Sequence, residues 1–181
     1  MKPIIFVDFY KTLSHGRFWH RADNDVCTQI NKLIFNTVEE GSIADVWMRG
    51  EKTSEEVNEY LSEALHIPYE TLWKWFVPSA QTIGVNEDAL VLINQLRKKY
   101  TAVLITDTMD CFTRFTVPAY KLDTAFDRII NSADVGIRKR DENGKIFKLV
   151  TDEFSNSMVI DDSEHVFELF ERLGGKAFLI Q

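Results

Sequence analysis

The sequence predicts an α/β fold, a parallel sheet that is interrupted after its first strand by a run of helices. Three observations carry that prediction. Short apolar runs rich in β-branched residues, Ile4–Val7, Ala102–Ile105 and Ser157–Ile160, have the length and composition of strands buried on both faces. Each run gives way abruptly to polar chemistry: Asp8, then Thr106 with Asp107, then Asp161 with Asp162. From Thr101 onward, strand runs alternate with helical patterns, as parallel β-α-β units require.

The elements follow in order. After the first strand and Leu13 the pattern turns helical and stays so until about Lys99. Asp23 to Glu40 carries Val26, Ile30, Leu33, Ile34 and Val38 at helical spacing, and Gly41 is placed to end that helix. Thr53 and Glu56 form a capping box that opens a second helix, with Val57, Leu61, Ala64 and Leu65 inside. Pro68 starts a short third helix through Trp73, Trp75 and Phe76. Asn86 caps a helix that presents Leu90, Ile93 and Leu96 and leads into the second strand. A helix over Asp110–Tyr120, a strand over Arg128–Asn131 and a last strand over Lys176–Ile180 complete the chain. Trp19, Trp47, Trp73 and Trp75 all fall in the inserted stretch, where they are expected to pack a small core, with one or two turned to a cleft. There are no internal repeats and no low-complexity segments.

Composition narrows the function classes. The 181 residues suffice for one α/β domain with a modest insertion. An apolar fraction of 45% and a charged fraction of 27% belong to a folded globular chain. A net charge of -7 argues against broad binding to nucleic acid or to an anionic membrane, although a metal and a lysine can still hold a phosphate locally. Cys27 and Cys111 are far apart and lack a His or Cys at metal-ligand spacing, so they read as core thiols in a reducing compartment. The first strand begins at once, leaving no room for a leader peptide, and no apolar stretch approaches a membrane span. The expected location is cytoplasmic, without nucleic-acid or membrane partners.

The acids at the strand ends are the candidates for chemistry. A carboxylate at the carboxyl end of a parallel strand lies where open α/β sheets bind ligands. Asp161 and Asp162 repel each other unless a cation or hydrogen-bond donors offset them, and capping the helix near Glu164 needs one acid, not two. The basic loop Ser132–Lys139 suits a bound anion, although a lone surface lysine is commonly just solvated.

Together these residues resemble the haloacid dehalogenase superfamily. Its four motifs are a strand ending D-x-D-x-T, a strand ending in Ser or Thr, a Lys after a short loop, and a strand ending in one or two Asp. Asp8 with Thr12, Thr106, Lys139, and Asp161 with Asp162 match in order. The text before Lys139 is similar to S-x-x-V-G-x-x-K-P, with Arg140 where Pro is common, and the resemblance runs from Ile4 to Ile180. It implies a Rossmann-like, doubly wound core over residues 1–13 and 85–181, and a helical cap over 14–84 that excludes water and selects substrates.

The same resemblance implies a Mg²⁺-dependent hydrolase, a phosphatase acting on a small phosphorylated metabolite through an aspartyl-phosphate. Asp8 would be the nucleophile. Thr106 and the N–H groups after Asp8 would hold the anionic oxygens, with Thr12 and Asp107 also binding substrate, and Lys139 would neutralise charge. Asp8, the Tyr10 carbonyl, Asp161 and Asp162 would hold the Mg²⁺.

Position 10 departs from the phosphatase pattern. Most phosphatases of the superfamily place a second Asp there as general acid and base, and here it is Tyr10, followed by Lys11 where Gly is usual. The dehalogenases themselves carry D-x-Y-G-T, but their Ser-x-Asn pattern in the last motif is absent. Two alternatives therefore stand beside the phosphatase: a metal-independent 2-haloacid dehalogenase-type hydrolase, and a degenerate, non-catalytic binding protein.

Overall fold

The computed structural model describes residues 2–180. Among them, five strands form one parallel sheet: β1 (Ile4–Val7), β2 (Thr101–Thr106), β3 (Arg128–Asn131), β4 (Met158–Asp161) and β5 (Lys176–Leu179). Their order is β3-β2-β1-β4-β5, so the chain winds outward first on one side of β1 and then on the other. This is the Rossmann-like, doubly wound arrangement. Its ligand crevice opens at the carboxyl ends of β1 and its neighbours, where the winding direction reverses.

Alternate side chains of each strand feed separate cores, because successive Cβ atoms point to opposite faces. Ile5, Val7, Ala102 and Leu104 pack with Ile93, Phe112 and Leu122 on one face. Phe6, Val103, Ile105 and Val159 pack with Phe147 and Phe170 on the other. There Phe6 meets Phe147 and Phe170 edge-on at centroid separations of 5.3 and 5.6 Å.

The insertion carries α1 (Asn24–Ile34), α2 (Ile43–Met48), α3 (Ser54–Leu65) and α4 (Tyr69–Gln81), and α5 (Glu87–Leu96) leads back to the sheet. The predicted caps of α3 and α5 form: the Thr53 hydroxyl accepts from Glu56 N–H, and the Asn86 side chain accepts from Ala89 N–H. The helix expected over Asp23–Glu40 instead stops at Ile34, before Asn36 and Thr37, two residues of poor helix propensity. Val38 reaches the cap core from outside any helix. The short helix α2, capped by Ser42, has too few residues for its periodicity to be read.

After β2 the segment expected as one helix begins with a π-helical turn over Phe112–Thr116 and continues as α6 (Val117–Tyr120). Beyond it come α7 (Leu122–Ala125), α8 (Ser132–Val135), α9 (Lys145–Lys148) and α10 (Glu164–Arg172).

Trp19 and Trp47 are fully buried around Phe76, with centroid separations of 4.5 Å (Trp19) and 6.1 Å (Trp47). Both indole N–H groups are satisfied, Trp19 donating to Asn58 (3.2 Å) and Trp47 to Asp110 (2.8 Å). None of the four tryptophans lines either cavity described below, contrary to the expectation that one or two would face a cleft. Trp19 and Trp47 are buried inside the cluster of the inserted helices, and Trp73 and Trp75 pack half-buried against it; the cluster also takes in Met109 and Cys111 from beyond β2. Both cysteines are free, and no helix among the described residues is long and apolar enough to cross a membrane.

Candidate active site

The strand ends converge. Asp8 leaves β1 with its N–H donating to the Ile160 carbonyl of β4 (2.9 Å), which fixes the acid beside Asp161. The chain then turns tightly: the N–H groups of Leu13 and Ser14 donate to the Phe9 carbonyl, and that of Lys11 to the Ser14 carbonyl. Lys11 takes a φ of 60°, a left-handed conformation that costs a non-glycine residue roughly 1–2 kcal/mol, which is why glycine suits this position. The turn leaves Tyr10 42% exposed at the mouth of the site. Among the described residues no backbone N–H donates to the Tyr10 carbonyl.

Lys139 is buried between the acids. Its Nζ donates to Asp8 Oδ1 and to Asp161 Oδ2, the latter at 2.7 Å. The other Asp161 oxygen accepts from Ser163 N–H (2.9 Å), and Ser163, not Asp162, caps α10. Asp162 pairs with the exposed Lys11 at 3.3 Å. Asp8, Asp161 and Asp162 each place a carboxylate oxygen so that all three lie within 4.8 Å of one another. The Thr12 and Thr106 hydroxyls are buried and, among the described residues, have no hydrogen-bond partner. A buried hydroxyl without a partner is costly, and that of Thr106, on the cavity wall beside Asp8, is available to a bound oxyanion.

Burial pushes the Asp8 carboxyl up to about 7; Lys139 pulls it down, and the charge of Asp161 pushes it further up. Burial also opposes the charge on Lys139, yet Asp8, Asp161 and Asp107 hold that ammonium above the ordinary lysine range. Three carboxylates crowd together, and the one buried cation bonds only Asp8 and Asp161. An all-oxygen donor set of this kind, with no His or Cys in the cluster, fits a hard divalent ion such as Mg²⁺.

The loop that delivers Lys139 is held from two sides. Asp107 accepts from Lys139 N–H (2.9 Å) through one oxygen and from Arg138 Nε (3.2 Å) through the other. Expected as a substrate ligand, Asp107 therefore has both oxygens engaged in holding the lysine loop. Arg138 reaches on to Asp45 in α2 at 2.7 Å, and Asp45 also accepts from Arg140 (2.8 Å), Arg49 (3.3 Å) and Gly41 N–H (3.0 Å). Arg49 in turn makes a two-bonded pair with Asp141 (2.7 and 2.8 Å). Asp45, Arg49 and Arg138 were not legible as site residues. Only the Arg138-Lys139-Arg140 run hinted at them, and nothing near Asp45 did.

Two cavities meet here. One, of about 530 Å³, is lined by Asp8, Thr106, Lys139, Asp161 and Asp162. The other, of about 720 Å³, lies under the cap. Tyr10 and Asp107 line both, so the two adjoin.

No protein-family model matches the chain, and no curated protein matches it significantly. Solved structures do. A haloacid dehalogenase (HAD) family enzyme from Bacteroides thetaiotaomicron, in complex with magnesium and inorganic phosphate, superposes with a TM-score of 0.73 at 18% identity, covering 100% of this chain and 95% of that one. A predicted HAD-like family hydrolase from Porphyromonas gingivalis gives 0.71 at 21% identity, covering 99% and 91%. A dehalogenase with an intermediate complex gives 0.71 at 14% identity, covering 99% and 85%. The chain thus has the fold of HAD-family enzymes over its whole length.

Proposed function

We propose that the protein is a Mg²⁺-dependent hydrolase of the HAD type, a phosphatase acting on a small phosphorylated metabolite. The core is residues 1–13 and 85–181, and the cap is 14–84. The observation that carries this reading is the cluster of Asp8, Asp161 and Asp162, two of them bonded to the buried Lys139, with the Thr106 hydroxyl left without a partner in the same cavity wall. The magnesium and phosphate bound by the Bacteroides enzyme of the same fold agree with it.

In this reading Asp8 Oδ attacks phosphorus, forming an acyl-phosphate bond as the ester oxygen departs, and water then cleaves that bond and restores the carboxylate. Thr106 and Thr12 donate to the phosphoryl oxygens, and Lys139 offsets their charge. Asp161, Asp162, Asp8 and the Tyr10 carbonyl would hold the Mg²⁺, which would supply the positive charge that lets one anion attack another. Asp107 and Arg138 keep Lys139 in place. The Tyr10 phenol can give a proton to the leaving group, but it is a poorer base than a carboxylate for the second step.

A second reading, a dehalogenase-type hydrolase, is favoured by Tyr10 alone, since a halide leaves without a proton. One experiment separates them: purified protein is assayed against phosphorylated metabolites and 2-haloacids, with Mg²⁺ and with chelator. Phosphate release that requires Mg²⁺ supports the phosphatase. Halide release that persists in chelator replaces it with the dehalogenase.

A further inference from the structure

The cap cavity has a chemical character that the catalytic residues do not require. One face of α1 looks into it: Thr28, Asn31, Lys32 and Phe35 line the wall at the i, i+3, i+4, i+7 spacing of a single helix face. The opposite side of the same helix buries Ile30 and Ile34 in the cap core. The polar stripe of α1, with Thr28 and Lys32 exposed, thus borders a concave space open to solvent. Phe9, Phe18, Met48, Ile83 and Met109 supply its apolar walls.

The charge of this space runs against the rest of the chain. The protein has 28 acidic and 21 basic residues, yet the cavity is lined by Lys11, Arg17 and Lys32 against the single acid Asp107. Both Asp107 oxygens are already bonded to Arg138 and Lys139, and Lys11 pairs with Asp162. Among the described residues neither Arg17 nor Lys32 has an acid within salt-bridge distance. Two exposed cations without acid partners on the wall of a cavity of about 720 Å³, a size typical of small-ligand sites, suit an anionic ligand group. Tyr10 and Asp107 form a wall common to this cavity and the one holding Asp8, which places it where the leaving part of a substrate would extend.

We propose that the substrate is a monoester whose leaving group has an apolar or aromatic body ending in a second anionic group, a carboxylate or a phosphate, received by Arg17 and Lys32. This rests on the hydrolase reading above and adds the substrate class. Aromatic and aliphatic side chains hold the body, and the two cations select the far end.

Matched esters test it. Phenyl and biphenyl-4-yl phosphate are compared with their 4-carboxy and 4'-carboxy counterparts on the Mg²⁺-loaded protein, two lengths being used because the span to the cations decides which one reaches. A 4-phosphonomethyl arm separates carboxylate from phosphate selection. The expected result is a kcat/KM about tenfold higher for at least one dianionic-tailed or carboxylated ester than for its uncharged match, fading as salt is raised. In the Arg17→Gln/Lys32→Gln double variant that ratio should collapse towards one. Equal kcat/KM for charged and uncharged matches, or a preference that survives in the double variant, would overturn the proposal. If no ester is turned over, the hydrolase reading fails separately. Calorimetric binding of the same four esters then still decides the cavity, since tighter binding of the charged member sustains it and equal binding ends it.

Discussion

Asp45 and Asp8 are both buried acids in ion pairs, and they end in opposite states. Asp45 is buried too, but bonds from Arg138, Gly41 N–H and Arg140, with the charge of Arg49, outweigh that burial and hold its carboxyl well below the usual range. Around it the carboxylates of Asp45, Asp107 and Asp141 meet the guanidinium groups of Arg49, Arg138 and Arg140. At the site Asp8 and Asp161 share Lys139, Asp162 has only the exposed Lys11, and burial wins at Asp8. A buried acid saturated with donors is an anchor, here tying α2 of the cap to the lysine loop. One left short of positive charge is held ready for a ligand, which is where perturbed carboxyls mark function. The two clusters touch through neighbours in the chain, Arg138 serving the anchor and Lys139 the site.

The comparison breaks most sharply at Asp8, the proposed nucleophile. Asp8→Asn keeps the shape and should lower turnover by more than about 10³-fold while the far-UV circular dichroism stays native. Near-native turnover in this variant would remove Asp8 from the chemistry. Next comes the anchor. Asp45→Ala leaves three arginines without their shared partner and should destabilise the fold by about 3–5 kcal/mol in denaturant titration. Because the folded carboxyl lies below its unfolded value, its contribution is present above about pH 4 and fades as the pH falls further. Wild type and variant should therefore converge in stability in acid. A constant gap down to pH 2 would mean that the loss is one of packing alone.

Adding Mg²⁺ should close the charge deficit at the site. At a hundredfold excess over Kd the stabilisation is about 2.7 kcal/mol, or roughly 5–10 °C in melting temperature for a chain of this size. Asp161→Asn should abolish most of that rise and Asp162→Asn less of it, because Asp161 is buried against Lys139 and Asp162 is half-exposed. The smallest effect is expected at a surface pair. Arg114 and Glu55 make two bonds of 2.6 and 2.8 Å, but both side chains are about two-fifths exposed. Glu55→Ala should cost only about 0.2–1 kcal/mol. A larger loss would extend the anchor to Asp110, which shares Arg114 and receives Trp47 and Ser54 from the cap.

The sequence by itself determined the parallel α/β core, the strands that end in Asp8, Thr106 and Asp161, and the capping of α3 and α5. Each of these is written within a few consecutive residues: a β-branched run and its polar terminus, or a hydroxyl three residues before a glutamate. The same local reading overran at α1, where apolar spacing continued to Val38 past Asn36 and Thr37. Only the tertiary structure decided what meets across the chain. Lys139 reaches Asp8 over 131 positions, and Arg138 reaches Asp45 over 93. It also decided that the Thr12 and Thr106 hydroxyls lack partners, that Asp107 holds a loop, and that one face of α1 lines a cavity. Periodicity and capping are properties of a few adjacent residues, and they fix what each segment becomes. Which charge finds a partner, and which is left waiting for a ligand, depends on how the cap settles against the sheet, and no local run of residues encodes that.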